Sequence, residues 1–193
     1  MMMKRIALVL AALGAGAAPA FAHLDPAEHG SVMAGLSHPL SGSDHVLAMV
    51  AVGLWAALLG GRALWLAPLA FVGAMTIGFT AALLGVTLPF VEPVILASVV
   101  VIGLLAATAL SVPAGIAMAM VGFFAFFHGH AHGGELGSAS AIAFGVGFAL
   151  STALLHVTGI SLARLFGGGA GRLATRMAGG IAAVGGLWLV MAG

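Results

Sequence analysis

The chain has 193 residues, of which 62% are hydrophobic and only 6% are charged, and its formal net charge is +1. Soluble domains carry charge on roughly a quarter of their residues, so this composition indicates a membrane protein whose main surroundings are a lipid bilayer. The near balance of acids and bases excludes a basic nucleic-acid-binding stripe. The absence of cysteine excludes disulfides, thiolate zinc sites and iron–sulfur clusters.

The first residues have the features of a cleaved signal peptide. Lys4 and Arg5 precede an apolar stretch from Ile6 to Ala18, and Ala20-Phe21-Ala22 forms an A-x-A cleavage pattern. We therefore predict a signal peptide at residues 1–22 and a mature domain at 23–193 that begins outside the cytoplasm; the alternative is an uncleaved anchor. Sequencing the amino terminus of the purified protein should read from His23, and an intact leader would refute cleavage.

Six further apolar stretches predict an all-α, polytopic membrane helix bundle with six transmembrane helices. A helix needs roughly 20 residues to cross the hydrocarbon core, and no alternating pattern suggests barrel strands. The predicted spans run about from Leu36 to Leu59, Leu64 to Leu88, Pro93 to Val112, Ala114 to Phe127, Ser138 to Phe166, and Leu173 to Ala192.

The positions of the arginines predict how this bundle is oriented in the membrane. With the mature amino terminus outside, the connections that face the cytoplasm contain Arg62, Arg164 and Arg172, with Arg176 just beyond, and the outer connections contain no Lys or Arg. This asymmetry agrees with the positive-inside rule. We therefore expect a bacterial inner-membrane protein with both mature termini on the periplasmic side.

The first polar cluster precedes the first apolar run. Val46 to Leu59 is only 14 residues, too short to span, so the first helix must include residues from Gly42 to His45. This places Asp44 and His45 at the outer membrane level, with Met49 one turn deeper as a secondary, soft ligand. Pro39 and Gly42 disfavour a regular helix from His45 back to His38, and a turn between them can bring the two histidines together.

The second cluster follows the equally short run from Ala114 to Phe127. On a helix, His128, His132 and Glu135 lie at i, i+4 and i+7 on one face, and His130, a secondary ligand at most, points away. The glycines at 129, 133 and 134 suggest that this segment unwinds.

Both clusters fall at the outer side of the predicted bundle and can form one metal site. Imidazole and carboxylate ligands suit borderline divalent ions such as nickel, cobalt, copper(II) and zinc. His23 is a secondary ligand if it becomes the mature amino terminus. His156, deep in the fifth span, is either a second station on a pathway or a core residue bonded to a backbone carbonyl.

At these clusters the chain resembles the HupE/UreJ family of nickel permeases. The family signature H-x5-D-H matches His38, Asp44 and His45, and FHGxAHGxE matches residues 127–135, including His128, His132 and Glu135. The resemblance implies uptake of Ni²⁺ or Co²⁺ as a transported substrate that supplies hydrogenase or urease maturation. It implies no permanently bound cofactor, and no ATPase subunit is evident because the chain has no Walker-type motif.

Two alternatives use the same residue types. In an intramembrane zinc-dependent hydrolase, three side chains would hold zinc and Glu135 or Asp44 would activate water. Neither G-x-S-x-G nor H-E-x-x-H occurs, which disfavours the hydrolase and predicts a protein that is not an enzyme. The other alternative is a membrane accessory protein that binds metal without transporting it. Metal uptake into proteoliposomes distinguishes the permease, the hydrolase and the accessory protein.

Overall fold

The computed structural model describes residues 32–136, 140–165 and 168–192. The predicted signal peptide and His23 lie outside these residues. The described part consists of helices without strands, which confirms the all-α prediction. The helices are α1 (Val32–Ser41), α2 (Ser43–Leu59), α3 (Ala63–Leu83), α4 (Val91–Thr108), α5 (Ala114–Glu135), α6 (Ala141–Leu165) and α7 (Gly168–Ala192).

The first predicted span is broken into two helices. α1 and α2 meet at Gly42 and are bent by 88° relative to each other. This confirms that no regular helix runs from His45 back to His38, although α1 itself is helical through His38 and Pro39. Pro39 lies near the end of a ten-residue helix, where its missing amide hydrogen removes a single backbone bond. The turn therefore falls at Gly42 alone.

The other boundaries follow local backbone chemistry. α3 ends at Leu83, five residues before the predicted limit, and the backbone then turns through Gly85, which has a φ of 81°. That left-handed conformation suits glycine and typically ends a helix. In the described ranges, five helices are long and apolar enough to cross a membrane, or six if the bent α1–α2 pair is one span. The chain is a multi-pass membrane protein, and the six-span count stays a prediction.

Pairs of glycines bring the helices into backbone contact. A Cβ atom at Gly129 of α5 would lie 1.8 Å from the Met75 carbonyl oxygen of α3, and one at Gly78 of α3 would lie 2.0 Å from the Phe126 oxygen of α5. Equivalent reciprocal contacts join α1 to α6, α2 to α6 and α4 to α7, through Gly35 and Gly147, Gly53 and Gly159, and Gly103 and Gly179. Small residues permit this close packing in membranes.

The second polar cluster does not unwind at its glycines, because these glycines pack against the neighbouring helix α3. α5 stays helical to Glu135. Gly129 and Gly133 pack against the backbone of α3, where a Cβ atom at Gly133 would lie 2.4 Å from the Phe79 oxygen. The glycines thus allow close approach of two intact helices and do not break α5.

The two ends of the bundle differ in chemistry. We call the end with the α1–α2 break and the end of α5 the His-rich end. At the opposite, Arg-rich end, Arg164 and Arg172 line one cleft with Thr175. Arg176 Nε donates a hydrogen bond to the Ala107 oxygen at 2.8 Å, which ties α7 to the end of α4. The two ends thus differ in their basic groups, and the core between them is mainly apolar but includes a few buried polar side chains such as His156.

Candidate metal site

Three helices assemble a continuous chain of polar side chains at the His-rich end. The Nδ1 atom of His132 on α5 lies 2.8 Å from the Nε2 atom of His38 on α1. Through its Nε2 atom, His132 also contacts His45 Nε2 of α2 at 2.5 Å. His45 Nδ1 in turn lies 2.8 Å from Asp44 Oδ2. The structure thus joins residues that are 94 positions apart in sequence.

The order of contacts determines which nitrogen of each neutral ring carries the proton. Asp44 as a carboxylate accepts a hydrogen bond from His45 Nδ1, which leaves His45 Nε2 as an acceptor. His132 must then donate from Nε2, and its Nδ1 accepts from His38 Nε2. A carboxylate that holds one ring nitrogen and leaves the other as a lone pair is the usual arrangement of a metal-binding histidine. The Asp44–His45 pair therefore has the hydrogen-bond arrangement that is common in metal-binding histidines.

Gly42 makes room for these side chains. Its backbone is extended, with φ −102° and ψ 121°, and its carbonyl accepts the first backbone bond of α2 from Val46. A Cβ atom there would lie 2.7 Å from Asp44 Oδ1 and 3.0 Å from His45 Nδ1. The break at Gly42 thus provides both the bend and the space into which Asp44 and His45 fold.

His128 lies one turn deeper on α5 and is fully buried. The Ser98 hydroxyl of α4 donates to the Ile95 oxygen, so His128 donates from Nε2 to Ser98 Oγ at 2.9 Å. His128 Nδ1 is consequently an unprotonated lone pair, and it has no hydrogen-bond partner among residues 32–136, 140–165 and 168–192. The His128 and His45 ring centroids are 5.0 Å apart. His128 thus extends the cluster into the bundle with one nitrogen available.

The remaining predicted residues lie in different surroundings. His130 faces away, as predicted, and its Nε2 donates to the Val86 oxygen at 2.7 Å. Met49 is fully buried in the apolar core, one turn after His45. Glu135 is the last residue of α5, and its side chain is outside what the structure describes.

His156 is 1% exposed and contacts the Phe71 ring, with centroids 4.9 Å apart. The backbone-carbonyl partner considered for it is absent among the described residues, since neither ring nitrogen has a hydrogen-bond partner there. His156 is therefore not held by the bond that would explain a purely structural histidine.

In the described ranges, no three His, Asp or Glu side chains have the geometry of metal ligands. Two nitrogens that share a metal at about 2.0–2.1 Å are roughly 3 Å or more apart. The 2.5 Å between the His45 and His132 nitrogens is too short for that and fits a hydrogen bond whose proton comes from His132 Nε2. Metal entry would displace this proton and separate the rings slightly, so binding should release a proton.

Sequence reasoning missed three neighbours of the site. Ser98 holds His128, and the Phe144 and Phe148 rings of α6 lie edge-on to His38, with centroids 5.4 and 6.2 Å away. Ser98 was recognisable from the sequence, because it is the one polar residue between Val94 and Ala107. Isolated polar residues in apolar spans are usually functional. The phenylalanines were not recognisable in this way, since they resemble any core residue.

Comparisons with known proteins agree with the motifs. The family model for the HupE / UreJ protein matches residues 10–189. A curated relative, Protein HupE of Rhizobium leguminosarum bv. viciae, is 45% identical over 190 residues, which cover 97% of this chain and 98% of the relative. No solved structure matches the chain. Because both matches extend over nearly the whole length, this chain belongs to the HupE/UreJ family.

Proposed function

We propose that this protein is a bacterial inner-membrane permease that takes up a divalent transition metal, Ni²⁺ or alternatively Co²⁺, to supply hydrogenase or urease maturation. The observation that carries the proposal is the chain from Asp44 through His45 and His132 to His38. Family membership supports the same role. His128 and Glu135 complete the proposed ligand set.

The chemistry of the cluster fits a divalent transition metal. Neutral imidazoles with one carboxylate bind borderline ions, whereas Mg²⁺ and Ca²⁺ favour oxygen ligands. The cluster draws on α1, α2 and α5, so a small rearrangement of these helices changes its geometry. A site that must release its ion benefits from such an arrangement, in contrast to the closed geometry of a structural metal site.

Uptake of radioactive nickel by proteoliposomes tests the proposal. We expect nickel to accumulate inside vesicles that contain the protein and not inside empty vesicles. Binding without accumulation would favour the non-transporting accessory protein. Zinc-dependent cleavage of a peptide substrate without accumulation would favour the hydrolase.

The proposed orientation places the His-rich end in the periplasm. The chain has no cysteine, so a single introduced thiol is the only one in the protein. Thr87 and Ser111 are exposed in the connections at the His-rich and Arg-rich ends, respectively. We expect a membrane-impermeant maleimide to label Thr87→Cys in intact spheroplasts and Ser111→Cys only after permeabilisation. The reverse pattern would overturn the orientation.

A further inference from the structure

His156 combines deep burial with two unsatisfied ring nitrogens. It is 1% exposed, and neither Nδ1 nor Nε2 has a hydrogen-bond partner in the described part of the chain. A neutral imidazole carries one N–H donor and one acceptor lone pair. Buried polar groups in native proteins are almost always paired. A polar side chain in this condition, inside a membrane bundle, indicates a partner that the described residues do not supply.

His156 extends the series of histidines that begins at the His-rich end and continues through His128. It lies nine residues before the end of α6 at Leu165, about 13 Å along the helix from the Arg-rich end. The Phe71 ring contacts both His128 and His156, at centroid distances of 5.7 and 4.9 Å. His128 also has a nitrogen, Nδ1, without a hydrogen-bond partner in the part of the chain that the structure describes. Two buried imidazoles with available nitrogens therefore share one neighbouring ring.

The surroundings of His156 are neutral and soft. Thr152 lies one turn earlier on the same face of α6, and its hydroxyl donates to Met75 Sδ of α3 at 3.6 Å. Met75 lies one turn after Phe71 on α3, and Thr152 and Met75 are both buried. An imidazole with a thioether nearby suits a borderline or soft ion. Without a carboxylate of its own, the imidazole would hold a divalent ion weakly and release it readily.

We infer that His156 is a second, inner binding station for the transported divalent ion, which reaches it from His128 past the Phe71 ring. This inference rests on the proposed function for its place in a transport pathway. The metal-binding property of His156 can be tested without transport. The competing explanation is a core histidine whose nitrogens are satisfied by buried water.

Two substitutions of similar volume separate these explanations. His156→Leu removes every ligand atom, and His156→Met retains a thioether that can bind the same ion. Both fill the space with flexible apolar atoms. An apolar side chain in place of an unpaired polar one is nearly neutral or stabilising, so the melting temperature of the metal-free Leu variant should equal or exceed that of the wild type. His156→Ile, which also carries no ligand atom, replaces the Leu variant if the latter does not accumulate.

Nickel uptake by proteoliposomes is the first measurement. We expect His156→Leu to lower the maximal uptake rate at least about tenfold. This is the lower end of the 10–100-fold loss that follows removal of even an outer contact of a metal. The KM for external nickel should change little, because the outer cluster is intact. His156→Met should recover a substantial part of the rate. Equal rates in the wild type and the Leu variant, or equal losses in the Leu and Met variants, would overturn the inference.

Equilibrium dialysis against Ni²⁺ alone distinguishes failure of the inference from failure of the proposed function. If the wild-type protein binds nickel without transporting it, the permease proposal fails. In that case the wild type should still bind one more ion per protomer than His156→Leu at saturating nickel. An equal number of bound ions in the two proteins would then overturn the inner station, whatever the function of the outer cluster.

Discussion

Replacing His132 by alanine should abolish nickel accumulation. His132 contacts both His38 and His45, so its loss disconnects all three helices of the site. Loss of a ligand should lower uptake by about 100-fold or more, since even outer contacts of a metal cost 10–100-fold. Asp44→Ala should have a similar effect, because the carboxylate orients His45. The measurement is radioactive nickel uptake in cells that lack other nickel importers.

His130→Ala is the matched control on the same helix. His130 is two residues from His132 and bonds to the Val86 oxygen, outside the cluster, so its loss should reduce uptake only mildly. Immunoblots must show equal membrane levels of all variants. The double variant Asp44→Ala/His132→Ala should be no worse than either single variant, because residues that act as one unit are not additive. Normal uptake by the His132 variant at equal abundance would refute the site.

Replacing Gly129 by alanine should destabilise the bundle. The new Cβ atom would lie 1.8 Å from the Met75 oxygen and 2.9 Å from the Phe79 nitrogen, both of them backbone atoms that cannot rotate away. The helices α3 and α5 must therefore separate, at a cost of about 1–3 kcal/mol or more. Because Gly129 is adjacent to His128, uptake should also fall. The measurement is the unfolding free energy in mixed micelles of increasing SDS content.

Gly73→Ala on α3 is the control for this substitution. A Cβ atom at Gly73 meets nothing within 4 Å. Its stability should be unchanged or raised by up to about 0.5–1 kcal/mol, because alanine is the better helix former. Equal stability of the Gly129 and Gly73 variants would contradict the close backbone packing of α3 and α5.

The helices and the positions of the candidate ligands follow from local properties of the sequence. Two apolar runs of 14 residues, each too short to span, required polar residues at their ends to be helical. The structure confirms this at Asp44 and His45 in α2 and at His132 in α5. The two motifs also identified the family that the comparisons show. Helical periodicity placed His130 on a different face from His132, as observed.

The sequence left the role of individual glycines and of Pro39 open where their neighbours decide it. Gly129 and Gly133 are compatible with an unwound segment or with close helix packing, and only the position of α3 distinguishes the two. The predicted interruption between His38 and His45 occurs, but α1 accommodates Pro39 near its end and the break falls at Gly42. Local propensity is weaker than the packing of a neighbouring helix.

Hydropathy, charge asymmetry and ligand chemistry depend on residues near one another in sequence, and these establish a polytopic helical membrane protein with two metal-ligand motifs. Which nitrogen contacts which partner is decided by the crossing of helices. The His38–His132 contact, the bond from Ser98 to His128 and the burial of His156 behind Phe71 all join separate helices. Reciprocal glycine contacts set those crossings, and such contacts depend on the surface of the partner helix. The site therefore exists only once α1, α2, α4, α5 and α6 are packed together.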